Sequence, residues 1–256
     1  MQNLTIVKVG GAVLEDIASF EDFLKRFNAI TRYKILVHGG GRTATQIAAR
    51  LGIKTKIVDG RRITDREMLQ VVTMVYGGLI NKNTVAFLQS IECNALGITG
   101  ADLNLIKAVQ RPVGDIDYGL VGDVSYVNTK VLELLLREGF VPVIAPLTHD
   151  GKGNLLNTNA DTIAASLATA MSMQFNVRLV YSFEKEGVLA DTSDSKSVIP
   201  LMNRELYSKY RHEGIINAGM LPKLDNSFKA LEAGVKEVII TSSKAMNLNH
   251  GTRLTL

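Results

Sequence analysis

Cysteine is nearly missing from this chain. Cys93 is the only one in 256 residues, so an internal disulfide is excluded and a thiolate zinc site has no ligand set. A lone thiol suits a reducing compartment. Long apolar runs are missing too, since Gly, Pro or a charged residue interrupts each stretch well before the roughly 18 residues of a membrane span. The opening residues, MQNLTIVKVG, read as a strand entering a glycine turn, not as the charged, apolar and cleavage regions of a secretory leader. A cytoplasmic protein is the expectation. Charge of one sign is also scarce, with 29 Lys plus Arg against 25 Asp plus Glu, a net +4. The charges are interspersed, as at Glu133, Arg137 and Glu138, with no basic tract interleaved with aromatics. Neither nucleic acid nor a membrane is therefore an expected partner. The small cationic excess suits a pocket for anionic small molecules.

What is present is enough apolar sequence for a large core. At 46% hydrophobic residues, a chain of this length buries roughly three quarters of its unfolded surface. Short β-branched runs alternate with helical patterns. Strands are expected at Leu4–Val9, Lys34–Val37, Ala95–Ile98, Val141–Ile144, Val177–Tyr181 and Val235–Ile240. Helices are expected around Ser19–Ala29, Thr43–Arg50, Asp65–Ile80, Asn81–Gln89, Lys130–Glu138, Ala160–Met171 and Ser227–Ala233. Such alternation favours a mostly parallel sheet covered on both faces. The stretch Ile106–Val127, with Arg111, Pro112, Gly114, Gly119 and Gly122, breaks the rhythm and reads as an antiparallel hairpin.

Three segments carry most of the chemistry. In VKVGGAVL, Lys8 ends the first strand and Gly10 and Gly11 follow. Ligands bind open α/β sheets at this edge, and bare glycine amides can approach phosphate oxygens. A tight turn with an ordinary strand-end lysine is the plainer alternative. In VHGGGRTATQIA, Gly39, Gly40 and Gly41 lie between a strand and a helix, where helix N-terminal amides favour anions. The spacing is neither GxGxxG nor GxxxxGK[ST], which excludes the usual dinucleotide and P-loop patterns. His38, just before these glycines, has the bland role of satisfying backbone groups. In LLNTNADT, Asn157, Asn159 and Asp161 stand two apart, so an extended backbone would point them one way; an Asx turn with an N-cap is the competing reading. Lys223 stands early in a helix, against the dipole, and Arg62 precedes a helix with a fork that could clamp a carboxylate.

Taken in order, VKVGGAVL, VHGGGRTATQI, VDGRRITDREML, YGGLINKN, GITGADLNLIKA, YGLVGDV, LLNTNADT and GIINAGMLPKLDNSFKAL resemble the amino-acid kinase family, on its acylglutamate branch, along nearly the whole chain. The resemblance implies a three-layer αβα sandwich around a mainly parallel central sheet. An acylglutamate-binding lobe is expected over 1–155 and a nucleotide-binding lobe over 156–256, with a soft boundary. It implies ATP with Mg²⁺, a carboxylate acceptor and a homodimer. Lys8 and Lys223 would neutralise the phosphoryl group in flight, with Asp161 orienting them. Gly11 and Gly40 would offer amides to phosphate oxygens, and Gly10 and Gly39 would shape the same loops. Arg62 and Asn157 would bind the α-carboxylate of the acylated glutamate, with Asn159 in support. The hairpin would cover the substrate, and Ser182 and Gly187 would stand by the nucleotide. One segment departs from the family pattern: YSFEKEGVLAD places Phe183, Glu184 and Lys185 where the family has Asp-Val-x-Gly, which bears on adenine contacts. The chain begins at its first strand, without the helix of arginine-inhibited members, so arginine feedback is not expected.

A carboxylate nucleophile with a pKa near ~4.3 is already ionised at neutral pH, so lysines and amides suffice and no base is needed. N-acetyl-L-glutamate is the leading acceptor and arginine biosynthesis the expected setting. N-succinyl-L-glutamate, another acceptor of the family (carbamate, aspartate, glutamate or uridylate) and a catalytically silent nucleotide- or amino-acid-binding regulator are the alternatives. Retention of Lys8, Asp161 and Lys223 speaks against the last.

Overall fold

The computed structural model describes every residue except 59, 192, 195, 217–219 and 246–249, together with the side chain of Pro222. It is an α/β sandwich with a mixed, mainly parallel central sheet flanked by helices. The chain divides into two compact units, one of Met1–Lys34 with Ala164–Leu256 and one of Ile35–Ile163. The divisions fall within strand Tyr33–His38 and helix Ala160–Met171.

In the first unit, strand Gln2–Val9 runs parallel to Phe175–Phe183, which runs parallel to Glu237–Ser242. Thr252–Leu254 adds antiparallel to the last of these, and Leu201–Met202 pairs parallel with Thr252–Leu254. Leu4, Ile6, Val7 and Val9 are all buried, as expected for a parallel strand covered on both faces. Helices Ile17–Asn28, Arg204–His212 and Leu221–Glu232 accompany these strands. Asp16 starts the first of them by accepting from Ser19 N, and Asn203 starts the second by accepting from Leu206 N, each satisfying an otherwise orphaned amide. The third helix begins earlier than its apolar pattern indicates, which puts Lys223 in its first turn.

In the second unit, Val141–Ile144 lies parallel to both Tyr33–His38 and Ala95–Ile98. The expected hairpin is there: Ile106–Gln110 pairs antiparallel with Gly122–Val127, with a bulge between Lys107 and Ala108. Leu147–His149 and Leu155–Asn157 complete a four-stranded sheet with them, and Ile57–Val58 and Arg61–Arg62 form a separate ribbon. The long helix of 66–90 is continuous in sequence but changes pitch, from α over Arg66–Val72 to π over Thr73–Ile80 and back to α over Asn81–Ser90. Gly77 and Gly78 lie in this π-helical stretch. Such bulges recur where a helix must re-aim side chains at a functional site.

Candidate functional site

In the Ile35–Ile163 unit the site is built around the glycine turn between strand Tyr33–His38 and helix Gly41–Arg50. Gly40 sits at φ +149°, and a Cβ there would run into Ile80 Cδ1 and stand 3.0 Å from the Tyr76 ring. Only glycine fits, both for its backbone and for its space. The turn is held from beneath by His38. This imidazole is fully buried, with Nδ1 2.8 Å from Gly39 O and Nε2 3.2 Å from Asn81 Nδ2. Asn81 Nδ2 also donates to Val143 O at 2.9 Å. Burial lowers the His38 pKa to about 4, against a smaller opposing effect of the Gly39 carbonyl. The ring is therefore neutral at pH 7, donating from Nδ1 and accepting at Nε2.

Arg62 leaves the ribbon next to this turn and is buried. Its Nη2 donates to Gly41 O at 2.7 Å and Thr45 Oγ1 at 2.8 Å, and its Nη1 reaches Thr55 Oγ1 at 3.3 Å. Tyr76 lies beside it, its phenol pKa raised chiefly by burial and pulled back by this guanidinium. Each of these partners is neutral. Arg62 thus carries a buried positive charge that no described carboxylate balances, a costly arrangement unless an anion completes it.

Asn157 is buried beside it and tied into the same fabric. Its Nδ2 donates to Thr64 Oγ1 at 2.9 Å, and its backbone N–H to Leu120 O at 3.0 Å. Thr64 in turn exchanges backbone hydrogen bonds with Tyr118 and Leu120 of the hairpin. The two-residue alternation seen in LLNTNADT ends at Asn159, because the helix begins at Ala160. Asn159 is the cap: its Oδ1 accepts from Asp161 N at 2.9 Å and from Thr162 N at 3.1 Å. Asp161 lies in the first helical turn, half-buried.

In the other unit Lys8 lies at the end of its strand, in register with Tyr181. Its Nζ curls over Gly10, 2.5 Å from where a Cβ would stand. Gly11 has φ +68°, and the space beside it is filled by the Glu184 carboxylate, whose Oε1 accepts from Ala12 N at 2.5 Å. Lys223 approaches from its own helix, with Nζ 5.1 Å from the Tyr181 ring centroid and 5.9 Å from that of Phe183. The two lysines therefore share Tyr181 as a neighbour, one through strand pairing and the other over its ring. Gly219, expected before Lys223, lies outside the described residues. Ser182 is buried between Val9 and Thr241 in register, and the Ser182 and Thr241 hydroxyls have no hydrogen-bond partner among the described residues. Gly187 packs tightly, since a Cβ would stand 2.8 Å from both Thr252 Oγ1 and Val198 Cγ1.

Among the described residues no group of three or more His, Cys, Asp and Glu is placed to hold a metal ion, and no helix is long and apolar enough to cross a membrane. Sequence reading passed over Tyr76, Asn81 and Tyr181. The YGGLIN stretch is the one signal that could have pointed to the first two, because paired glycines inside a helix are costly.

Known proteins resemble this chain in sequence and in fold. Residues 3–242 match the sequence profile of the Amino acid kinase family. An acetylglutamate kinase of Phocaeicola vulgatus is 57% identical over 251 residues, covering 98% of each chain. A solved structure from Streptococcus mutans UA159 superposes with a TM-score of 0.77 at 26% identity, covering 98% of both chains. The N-acetylglutamate synthase of Neisseria gonorrhoeae, solved with coenzyme A and N-acetyl-glutamate, gives 0.81 at 21% identity over all of this chain and 59% of that one, a likeness of fold. The chain belongs to the amino-acid kinase family.

Proposed function

We propose that this chain transfers the γ-phosphoryl group of ATP to the γ-carboxylate of N-acetyl-L-glutamate, in arginine biosynthesis. The observation that carries the reading is Arg62, a buried guanidinium with neutral partners beside a glycine turn. A planar fork in that setting suits a carboxylate. Arg62 and Asn157 take the α-carboxylate of the acceptor, and Asn159 keeps its helix start in place. The γ-carboxylate is directed to the Gly39–Gly40 turn. The acceptor residues lie within 35–163, while Ser182 and Gly187, assigned to the nucleotide, lie in the C-terminal part.

In the step itself, a γ-carboxylate oxygen forms a bond to phosphorus as the bond to the bridging oxygen of ADP breaks. The electron pair leaves with ADP, and no proton moves. The obstacle is the approach of an anion to a polyanion, so catalysis rests on positioning and fixed donors. Lys8 and Lys223 offer ammonium groups to the phosphoryl oxygens, and Gly11 and Gly40 offer amides in turns shaped by Gly10 and Gly39. The donor set, ammonium and amide, fits a nucleotide that brings Mg²⁺ with it. That ion offsets phosphate charge when bound. Asp161 is assigned an orienting role, since an ionised acceptor leaves a base nothing to do. Homodimerisation and a cytoplasmic setting belong to the same proposal, on the strength of the resemblance.

The test is a coupled ADP-release assay with N-acetyl-L-glutamate beside free L-glutamate, L-aspartate and carbamate, with hydroxylamine present to trap the acyl phosphate. Hydroxamate formed in step with ADP, from the acylated acceptor alone, is the expected result. ADP release that ignores the acceptor would overturn the assignment.

A further inference from the structure

Arg61, next to the assigned carboxylate clamp, has an environment that an acetyl group does not explain. In the ribbon, successive side chains face opposite ways. Arg62 turns to Gly41 and Thr45, whereas the charges that act on Arg61 are those of Arg111, Tyr118 and Asp123 on the hairpin. Arg111 is already committed there. Its Nε donates to Asp123 Oδ2 at 3.1 Å, its Nη2 to Asp123 Oδ1, and its guanidinium lies 5.3 Å from the centroid of the Tyr118 ring. Asp117 is committed too, accepting from Gly119 N at 2.8 Å in its own turn. The half-buried Arg61 guanidinium forms no hydrogen bond or ion pair with any described residue. Of the described groups whose charges act on Arg61, one is a guanidinium and one a carboxylate that already pairs with that guanidinium. Burial, and then the repulsion of Arg111, lower the pKa of Arg61, and both penalties would be relieved by a second anion.

The hairpin segment carrying Tyr118 is bonded to the acceptor-binding residues themselves. Thr64 N donates to Tyr118 O at 3.0 Å, Leu120 N donates to Thr64 O at 2.7 Å, and Asn157 N donates to Leu120 O at 3.0 Å. With the α-carboxylate on Arg62 and Asn157 and the γ-carboxylate at the glycine turn, the remaining substituent of the acceptor is the acyl group on its nitrogen. Arg61 stands on the face of the ribbon away from that turn.

We propose that Arg61, beside the Arg111–Asp123 pair, receives a carboxylate at the end of the acyl group. The chain then phosphorylates glutamates carrying a dicarboxylic acyl substituent, of which succinyl is the simplest that matches, in addition to the N-acetyl compound. The inference rests on the acylglutamate reading above and identifies the residue that selects the acyl end. N-succinyl-L-glutamate and N-butanoyl-L-glutamate differ only in a terminal carboxylate against a terminal methyl, so their ratio of kcat/KM isolates the charge. A charge-assisted hydrogen bond in a partly buried site predicts a ratio of about ten or more in favour of succinyl. Arg61→Leu is expected to bring the ratio to about one, and Arg61→Lys to leave it intermediate. Because the ratio is internal to each protein, loss of folded material cancels, and the wild-type ratio needs no variant. A wild-type ratio near one, or a ratio unmoved by Arg61→Leu, overturns the inference while leaving N-acetyl turnover in place. Failure to phosphorylate any of the three acylglutamates overturns the underlying reading, and the inference with it.

Discussion

His38 makes the stability of this protein depend on pH in a window where few other groups act. The imidazole is fully buried, and its pKa falls from 6.5 to about 4. Between those values the unfolded chain binds a proton that the folded chain refuses. The contribution of this site is therefore complete above pH 6.5 and is lost progressively as pH falls towards 4. At 1.36 kcal/mol per pKa unit, the loss totals about 3 kcal/mol. That is a large share of the stability of an ordinary domain. Protonation would also strip Nε2 of its lone pair and set it against the Asn81 Nδ2 donor, loosening the Gly39 carbonyl that Nδ1–H holds. Urea unfolding followed by circular dichroism at half-unit steps from pH 7.5 to 4 measures the effect. Carboxylates also titrate near the lower end, so His38→Asn, which keeps a short donor for the Gly39 carbonyl and does not titrate, supplies the baseline. The difference between the two curves should open below pH 6.5 and reach about 3 kcal/mol at pH 4. Parallel curves for the two proteins would refute the reasoning, because the ring would then carry its proton in the folded state as readily as in the unfolded one.

Two further expectations follow from the same unit. Arg62→Ala should raise the KM for N-acetyl-L-glutamate more than a hundredfold, the consequence of losing about 3 kcal/mol from a buried charge pair, while the KM for ATP changes little. Calorimetric titration of the variant with acceptor alone checks this, and unchanged affinity would remove Arg62 from the clamp. Gly40→Ala should lower unfolding stability by about 3 kcal/mol, through backbone strain at φ +149° and the collision with Ile80 and Tyr76. A urea midpoint equal to that of the wild type would show that the turn relaxes without cost.

Much of the architecture was legible because the parallel strands are apolar on both faces. Leu4–Val9 and Val141–Ile144 needed no partner to be recognised. The hairpin of Ile106–Val127 was equally plain, since its glycines and its one proline break the strand–helix rhythm. Helix starts were less so. Lys223 lies in the first turn of Leu221–Glu232, a start that its apolar pattern does not reveal because the first residues carry a proline and a cation. The glycine turns were legible as turns, but what faces them was not. Nothing in the sequence joins Gly40 to Tyr76, or His38 to Asn81, because these pairs meet only when a helix that has switched to π pitch packs against the strand end.

Glu184 shows most clearly what contact adds to sequence. In the chain it is one member of Phe183-Glu184-Lys185, a departure from the family pattern with no evident purpose. In space its carboxylate occupies the room left by the missing Cβ of Gly11 and accepts from Ala12 N. The Gly10–Gly11 turn was expected to offer amides to phosphate oxygens, and the glutamate takes the amide of the next residue, Ala12. A nucleotide phosphate entering this turn as proposed would meet the glutamate carboxylate beside Gly11. The departing segment is therefore tied to the glycine turn by a hydrogen bond, a relation that spacing along the chain cannot express. The glycine turn and the altered loop therefore have to be read together, because the carboxylate of one fills the space beside the other.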